Sequence, residues 1–376
     1  MSPPGIETSK EDRMNPSPRS RRPAATTGPQ LLDLALQGGG SHGAYTWGVL
    51  DRLLEDDSLE FAGISGTSAG AMNAVALAAG LMEGGREGAR RTLRHFWTQV
   101  GAHSPFAAFQ PWWGGLAMPG LQSWQRWMRE SAAWWARSLA QSLSPYGFNP
   151  LNLNPLRRIL EDTVDFERVR RCHKTRLFIA ATRVSTGELR VFRQSELSAD
   201  VVLASACLPM LFQAVDIDGE PYWDGGYAGN PSLMPLIQES PADDLLLVQI
   251  NPRQRPERPT QAAEILDRIN EITFNASLLK ELRAVQMLKN LIAEEGRPGH
   301  HYRNPLFARV EALRVHRIDG DEVLRDLGAG TKLRTDPAFL WQLFDKGRAA
   351  ADAWLRQHRA ALGRHATLDL QRECLS

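Results

Sequence analysis

Leu31-Leu32-Asp33-Leu34-Ala35-Leu36, followed by Gln37 and then Gly38-Gly39-Gly40-Ser41-His42-Gly43, is the stretch whose reading decides the fold. A short apolar run that stops at glycines reads as a buried strand. From Gly43 onward Ala44, Trp47, Leu50 and Leu54 recur at helical spacing. The unit then repeats. Phe61 to Ile64 is a second short apolar stretch, Gly66-Thr67-Ser68-Ala69-Gly70 is a small-residue turn, and Ala69 to Met82 is Ala-rich and helix-forming. Strand, turn, helix twice over is the pattern of an α/β fold with a mainly parallel sheet.

Downstream, sheet character returns at Leu177 to Thr182, and a Thr186-Gly187 turn into Leu189 to Phe192 predicts a hairpin. A further turn falls at Asp216 to Gly219, and another strand is expected over Leu245 to Ile250. Beyond a Pro/Arg linker at 252–259 the chain turns helical. Ile265, Ile269, Ile272, Ala276, Leu279 and Leu282 would share one face of a long amphipathic helix, expected to pack on the preceding domain. Upstream, residues 1–28 are rich in Pro, Ser, Thr, Gly and Arg and nearly free of large apolar side chains, which predicts disorder. Between about 96 and 154 lie seven of the eleven tryptophans. Trp112-Trp113, Trp124, Trp127-Met128 and Trp134-Trp135 fit two uses: a lid or lipid-facing surface, since indole suits the water–lipid boundary, or the packing of a helical insert onto the sheet.

Two of the turns carry chemistry. Gly66-Thr67-Ser68-Ala69-Gly70 is a GxSxG sequence between strand and helix, where a serine on a sharp turn is exposed and the helix N-terminus favours negative charge. The stacked glycines at 38–40 let backbone N–H groups converge, as an oxyanion site needs. The same letters satisfy GxGxxG, but the second strand ends in the Ser68 turn and not in the acidic residue a dinucleotide requires. No Gly-Lys-Ser/Thr follows, so a P-loop is also excluded. A Ser-His-Asp hydrolase needs a histidine after the acid. None of the histidines after Ser68 lies in a turn-rich setting, although spacing alone leaves them open. Trp223-Asp224-Gly225-Gly226-Tyr227 does lie in such a setting.

Taken together, the glycine loop, GxSxG, Ala204-Ser205-Ala206-Cys207-Leu208-Pro209, Asp218-Gly219-Glu220, Asp224-Gly225-Gly226 and Asn230-Pro231 resemble the patatin-like phospholipase family over about residues 31–240. Ser144 to Arg158 resembles text of its bacterial members. The resemblance implies a three-layer α/β/α fold over 31–240, with the Trp-rich insert inside it, then a last strand and a mostly helical extension over 241–376. It implies a serine acyl-ester hydrolase of phospholipids or lysophospholipids, with Ser68 as nucleophile and Asp224 as base in a Ser-Asp dyad. Gly38, Gly39, Gly40, Ser41 and Gly43 would form the oxyanion loop. Gly66, Thr67, Ala69 and Gly70 would shape the elbow, and Gly225 and Gly226 the acid motif. Burial beside Trp223 and Tyr227 would raise the pKa of Asp224 enough for it to act as a base. Neither metal nor cofactor is implied. Alternative readings are a hydrolase of a storage polyester or neutral lipid, and a lipid-binding module with an idle dyad.

Two positions depart from the family pattern. Gln37 stands where many relatives carry Asp, and His42 where they often carry Arg or Lys, which would replace a fixed charge by one titrating near neutrality.

Composition bounds the setting. A net charge of +1 gives no reason to expect nucleic acid, and Cys172, Cys207 and Cys374, with no CxxC, suggest neither disulfides nor zinc. No apolar h-region follows Arg19, Arg21 and Arg22, and no apolar run has bilayer length. The expectation is a cytoplasmic protein with any membrane contact peripheral, and a secreted effector is disfavoured for want of a visible signal.

Overall fold

The computed structural model describes residues 28–103, 144–255, 257–295 and 302–375. The expected disorder of residues 1–28, apart from Gly28, lies outside them, and so do the six insert tryptophans from Trp112 to Trp135. Eight strands build the sheet: β1 Gln30–Leu36, β2 Leu59–Thr67, β3 Arg176–Arg183, β4 Leu189–Arg193, β5 Val215–Ile217, β6 Glu220–Asp224, β7 Asp244–Gln249 and β8 Arg314–Asp319. The helices of six residues or more are α1 Gly43–Leu53, α2 Ala69–His103, α3 Pro155–Thr163, α4 Ala199–Ser205, α5 Met234–Glu239, α6 Ala262–Glu295, α7 Pro305–Ala312, α8 Pro337–His358 and α9 Leu370–Leu375.

The sheet runs β5-β6-β3-β2-β1-β7-β8, with β4 also paired to β3. β1, β2, β3, β7 and β8 are parallel neighbours. β4 and β6 run antiparallel to β3, and β5 runs antiparallel to β6. Alternation along β1 sorts the two layers. Leu32, Leu34 and Leu36 face a core shared with α1, α2 and α8, while Ala35 faces one shared with α5, α6 and α7. Both faces of a parallel sheet are therefore covered, as βαβ crossovers require.

Segments after residue 240 complete this sheet. They supply β7, where a strand is expected, and β8, which the sequence reading does not mark. α8 lies against α1 through glycines on both helices. A Cβ on Gly48 would come within 2.0 Å of the Phe344 carbonyl oxygen, and one on Gly347 within 2.0 Å of that of Tyr45. Beside this crossing Trp47 and Phe344 pack with ring centroids 4.1 Å apart and planes tilted by 39°.

The long helix α6 packs as expected, but the expected face is covered only towards its C-terminal part, at Leu282. Ile265, Ile269 and Ile272 are exposed, and the buried stripe is Glu271, Phe274, Asn275, Leu278, Leu282 and Val285. The packed stripe carries polar groups because it covers backbone beyond the strand ends. Asn275 donates from Nδ2 to the Pro252 carbonyl at 3.1 Å and accepts from Gln37 Nε2 at 3.0 Å.

Candidate active site

Parallel strands place their C-terminal ends along one edge, and ligand sites of α/β folds form there. β1 ends at Leu36, before the glycine loop, and β2 at Thr67, one residue before Ser68. Register brings the acid alongside: Thr67 pairs with Ala180 on β3, and the next residue, Ala181, pairs with Asp224 on β6.

Ser68 joins strand to helix with φ 55°, a left-handed backbone held by a residue other than glycine. Such a conformation costs of order 1–3 kcal/mol and persists only where the surroundings enforce it. Here Ser68 N–H donates to Ser205 Oγ at 2.8 Å, and Thr67 Oγ1 donates to the Gly229 carbonyl at 2.7 Å. The flanking glycines are steric necessities. A Cβ at Gly70 would lie 2.1 Å from the Leu36 carbonyl oxygen, and one at Gly66 would lie 2.5 Å from that of Gly70. Ala69 opens α2 and lines the cavity in front of the serine.

The glycine loop is tied down on three sides. Gly38 N–H donates to Asn230 Oδ1 at 2.6 Å, and the Gly38 carbonyl accepts from Asn251 Nδ2 at 2.6 Å. Gln37 Oε1 accepts the N–H groups of Ile250 and Asn251, each at 2.8 Å, so this glutamine joins the ends of β1 and β7. Ser41 Oγ donates to the Thr331 carbonyl at 2.8 Å. Gly40, with φ 60°, passes so close to the 3-10 turn Ala329–Leu333 that a Cβ would lie 2.3 Å from the Lys332 carbonyl oxygen.

The expected oxyanion group divides here. The N–H of Gly38 is engaged by Asn230, and that of Gly43 by the carbonyls of Gly40 and Ser41. Those of Gly39, Gly40 and Ser41 donate to none of the described residues, and all three line the cavity.

His42 departs from expectation. It is buried, and desolvation, with the charges of Lys332 and Arg255, depresses its pKa to about 3. The imidazole does not titrate near neutrality. Thr331 Oγ1 donates to the Gly328 carbonyl, so at 2.8 Å it accepts from His42 Nε2, which fixes the neutral Nε2–H tautomer.

Asp224 is fully buried. Its N–H donates to the Cys207 carbonyl at 2.8 Å, its carbonyl accepts from Thr182 Oγ1 at 2.8 Å, and its Oδ1 accepts from Gly226 N–H at 2.7 Å. Oδ2 makes no hydrogen bond of good geometry. Burial pushes the carboxyl up to about 7, opposed by the Gly226 N–H, a looser interaction with the Ser68 hydroxyl and the Lys332 charge. The Asp-Gly-Gly letters are packing requirements: a Cβ would meet the Ala180 carbonyl oxygen at 2.2 Å from Gly225 and the Phe274 ring at 2.3 Å from Gly226.

Ser68 and Asp224 open into one cavity of about 340 Å³, walled by Met72, Phe96, Trp97, Val100, Leu156 and Leu208 among others. Lys332, Asp267 and Asn270 add polar groups. No histidine lines it among the described residues. The sequence reading missed Asn251, Thr331 and Lys332, and gave no role to Ser205 or Asn230 although both stand inside motifs it quoted.

A serine on a strained strand-to-helix turn, beside a glycine loop at the carboxyl edge of a mainly parallel sheet covered by helices on both faces, defines a layered α/β protein with its candidate site at the strand ends. Within that class the family is shown by sequence: the profile of the patatin-like phospholipases matches residues 34–237, more than half of the 376-residue chain, and the chain belongs to that family. Similar solved structures include VipD from Legionella pneumophila, 17% identical over 88% of this chain and 67% of that one, with a TM-score of 0.41. Another is the ExoU–SpcU heterodimer from the type III secretion system of Pseudomonas aeruginosa, 15% identical over 89% and 77% of the two chains, with a TM-score of 0.30. No curated sequence matches the chain. Among the described residues no helix is long and apolar enough to cross a membrane.

Proposed function

We propose that this chain is a serine hydrolase of fatty-acyl esters, acting on phospholipids or lysophospholipids through Ser68 and Asp224. One observation carries the reading: a fully buried carboxylate with a free oxygen and a pKa near 7 shares an apolar cavity with a serine held at φ 55°. Ser68 Oγ attacks the ester carbonyl and its proton passes to Asp224 Oδ2. The resulting oxyanion is held by the N–H groups of Gly39 and Gly40, with Ser41 beside them. The bond to the leaving alcohol breaks, Asp224 returns the proton to that oxygen, and an acyl-Ser68 ester remains. Water then attacks this ester, giving a proton to Asp224. The fatty acid leaves as Ser68 recovers the proton. No cofactor enters these steps. The apolar wall from Met72 to Leu208 receives the acyl chain, and a lipid surface is the partner this implies, met from one side.

Hydrolysis of phosphatidylcholine, phosphatidylglycerol, lysophospholipid, triglyceride and a 3-hydroxybutyrate oligomer by wild type, Ser68→Ala and Asp224→Asn tests the proposal. Activity on the phospholipids, lost in both variants, is expected. Preference for triglyceride or the oligomer would move the substrate class, and a fully active Asp224→Asn would remove Asp224 as base.

A further inference from the structure

The family profile ends at residue 237, yet one wall of the cavity comes from residues almost a hundred positions further on. Lys332 is the only Lys, Arg or His among the described residues that line it. Its backbone is clamped against Gly40, and the preceding residue holds Ser41 and His42. Its Nζ donates to the neutral Asn251 Oδ1 at 2.6 Å and stands 5.7 Å from the centroid of the Phe274 ring. An ammonium has three protons to give, and the other two donate to none of the described residues. Of the carboxylates whose charge acts on it, Glu271 is taken up by Arg255 at 2.6 Å and Arg268 at 3.1 Å, while Asp267 and Asp224 line the same cavity and act on it through space. Burial lowers the Lys332 pKa to about 8, against the opposing charges of Glu271, Asp267 and Asp224.

A charge kept in so apolar a cavity is costly unless something pairs with it. We propose that Lys332 is the specificity-determining residue of this site, receiving a phosphate oxygen of a glycerophospholipid or lysophospholipid whose acyl ester lies over Ser68. The proposal rests on the hydrolase reading above and narrows its substrate. In a glycerophospholipid the phosphate hangs a carbon or two from the ester-bearing carbon, so an ester at Ser68 carries its anion into the same cavity. A triglyceride brings no anion and would leave the ammonium desolvated without an anionic group from the substrate. A lysine reads phosphate as a point charge, which suits a headgroup of variable shape.

Removing Lys332 also raises the pKa of Asp224, whose proton its charge disfavours, and this alters the hydrolysis of every ester alike. The informative quantity is therefore a ratio measured on one protein sample. Octanoyl lysophosphatidylglycerol and monooctanoylglycerol differ in the phosphate and its headgroup. Wild type is expected to favour the first in kcat/KM, and Lys332→Met to cut that preference about ten- to a hundredfold, the worth of a hydrogen bond to a charged group. Lys332→Arg should restore most of it. Equal hydrolysis of the two by wild type, or an unchanged ratio in Lys332→Met, would overturn the assignment while leaving the hydrolase reading intact. Equilibrium binding of both lipids to Ser68→Ala, with and without Lys332→Met, gives the same comparison without turnover. A ratio of affinities that Lys332→Met leaves unmoved sinks the proposal. Ser68→Ala as active as wild type instead sinks the hydrolase reading, and the binding ratio still judges Lys332.

Discussion

Ser68 and Asp224 are each held in a state that an isolated residue would avoid. The serine keeps a left-handed backbone through Ser205, and the aspartate keeps a carboxyl wholly out of water with a single well-formed hydrogen bond. Burial raises that carboxyl to about 7, which in the proposed mechanism would make an otherwise weak base strong enough to take a hydroxyl proton. Ser68→Ala and Asp224→Asn are each expected to lower kcat/KM about a thousandfold or more while the protein remains folded. Circular dichroism and steady-state kinetics on the same samples check this. The pH dependence follows from sign. As the proposed base, Asp224 would work only when deprotonated, so kcat/KM should fall with decreasing pH below about 7, roughly tenfold per unit. His42, held neutral with its pKa near 3, contributes nothing to that limb, so His42→Gln should leave its midpoint in place. A profile flat down to pH 5 would contradict the raised carboxyl.

The loop in front of these residues is shaped by elements distant in sequence. Gln37 ties it to the end of β7, Asn230 holds Gly38, and the 3-10 turn Ala329–Leu333 holds Ser41, His42 and Gly40. Thr331→Val removes the hydroxyl that accepts from His42 and leaves volume nearly unchanged. Because small misplacement of the proposed oxyanion donors would act on the transition state, kcat should drop about ten- to a hundredfold with little change in KM. A rise in KM at constant kcat would show that the turn serves substrate binding instead. These dependencies also explain what could be read in the sequence. Ser68 and Asp224 were legible because close packing forces glycine at Gly66, Gly70, Gly225 and Gly226, leaving letters at fixed short spacing. Asn251, Thr331 and Lys332 were not, because each reaches the loop through tertiary packing and has ordinary neighbours in the chain. α6 was misread for a related reason. It has two stripes of side chains, and the one that packs mixes Glu271 and Asn275 with Phe274 and Leu278, because it must satisfy backbone groups as well as cover a core. β8 escaped notice because Arg314-Val315-His316-Arg317 carries the charges of an ion-pair cluster.

Across the whole molecule the sheet divides its labour between its ends. The carboxyl ends of β1, β2 and β7 carry the candidate site, and the amino ends of β7 and β8 carry a buried polar cluster centred on Asp244. This carboxylate accepts from Arg314 Nε and Nη2, each at 2.9 Å, from His316 Nε2 at 3.0 Å, from Gln30 Nε2 at 2.8 Å and from the Gly363 N–H at 3.0 Å. His316 Nδ1 in turn meets Thr367 Oγ1 at 3.0 Å, so the cluster fastens the C-terminal segment to the edge strand. Burial alone would raise the pKa of Asp244, but the His316, Arg314 and Gly363 hydrogen bonds outweigh it and hold the carboxyl at about 2. A carboxylate whose folded pKa lies below its unfolded value, near 3.8, adds stability that is complete above that unfolded value and is lost as pH falls towards 2. Stability measured by urea unfolding should therefore decline between about pH 4 and pH 2 in wild type. In Asp244→Asn that part of the decline should vanish. At pH 7 the variant should be less stable by about 2 kcal/mol or more, since it strips a partly buried guanidinium and a buried imidazole of their shared anion. Because the cluster lies at the end of the sheet opposite Ser68, kcat/KM of the folded variant at low temperature should match wild type. A loss of turnover in parallel with stability would mean that the two ends are coupled through β7, whose far end Gln37 binds.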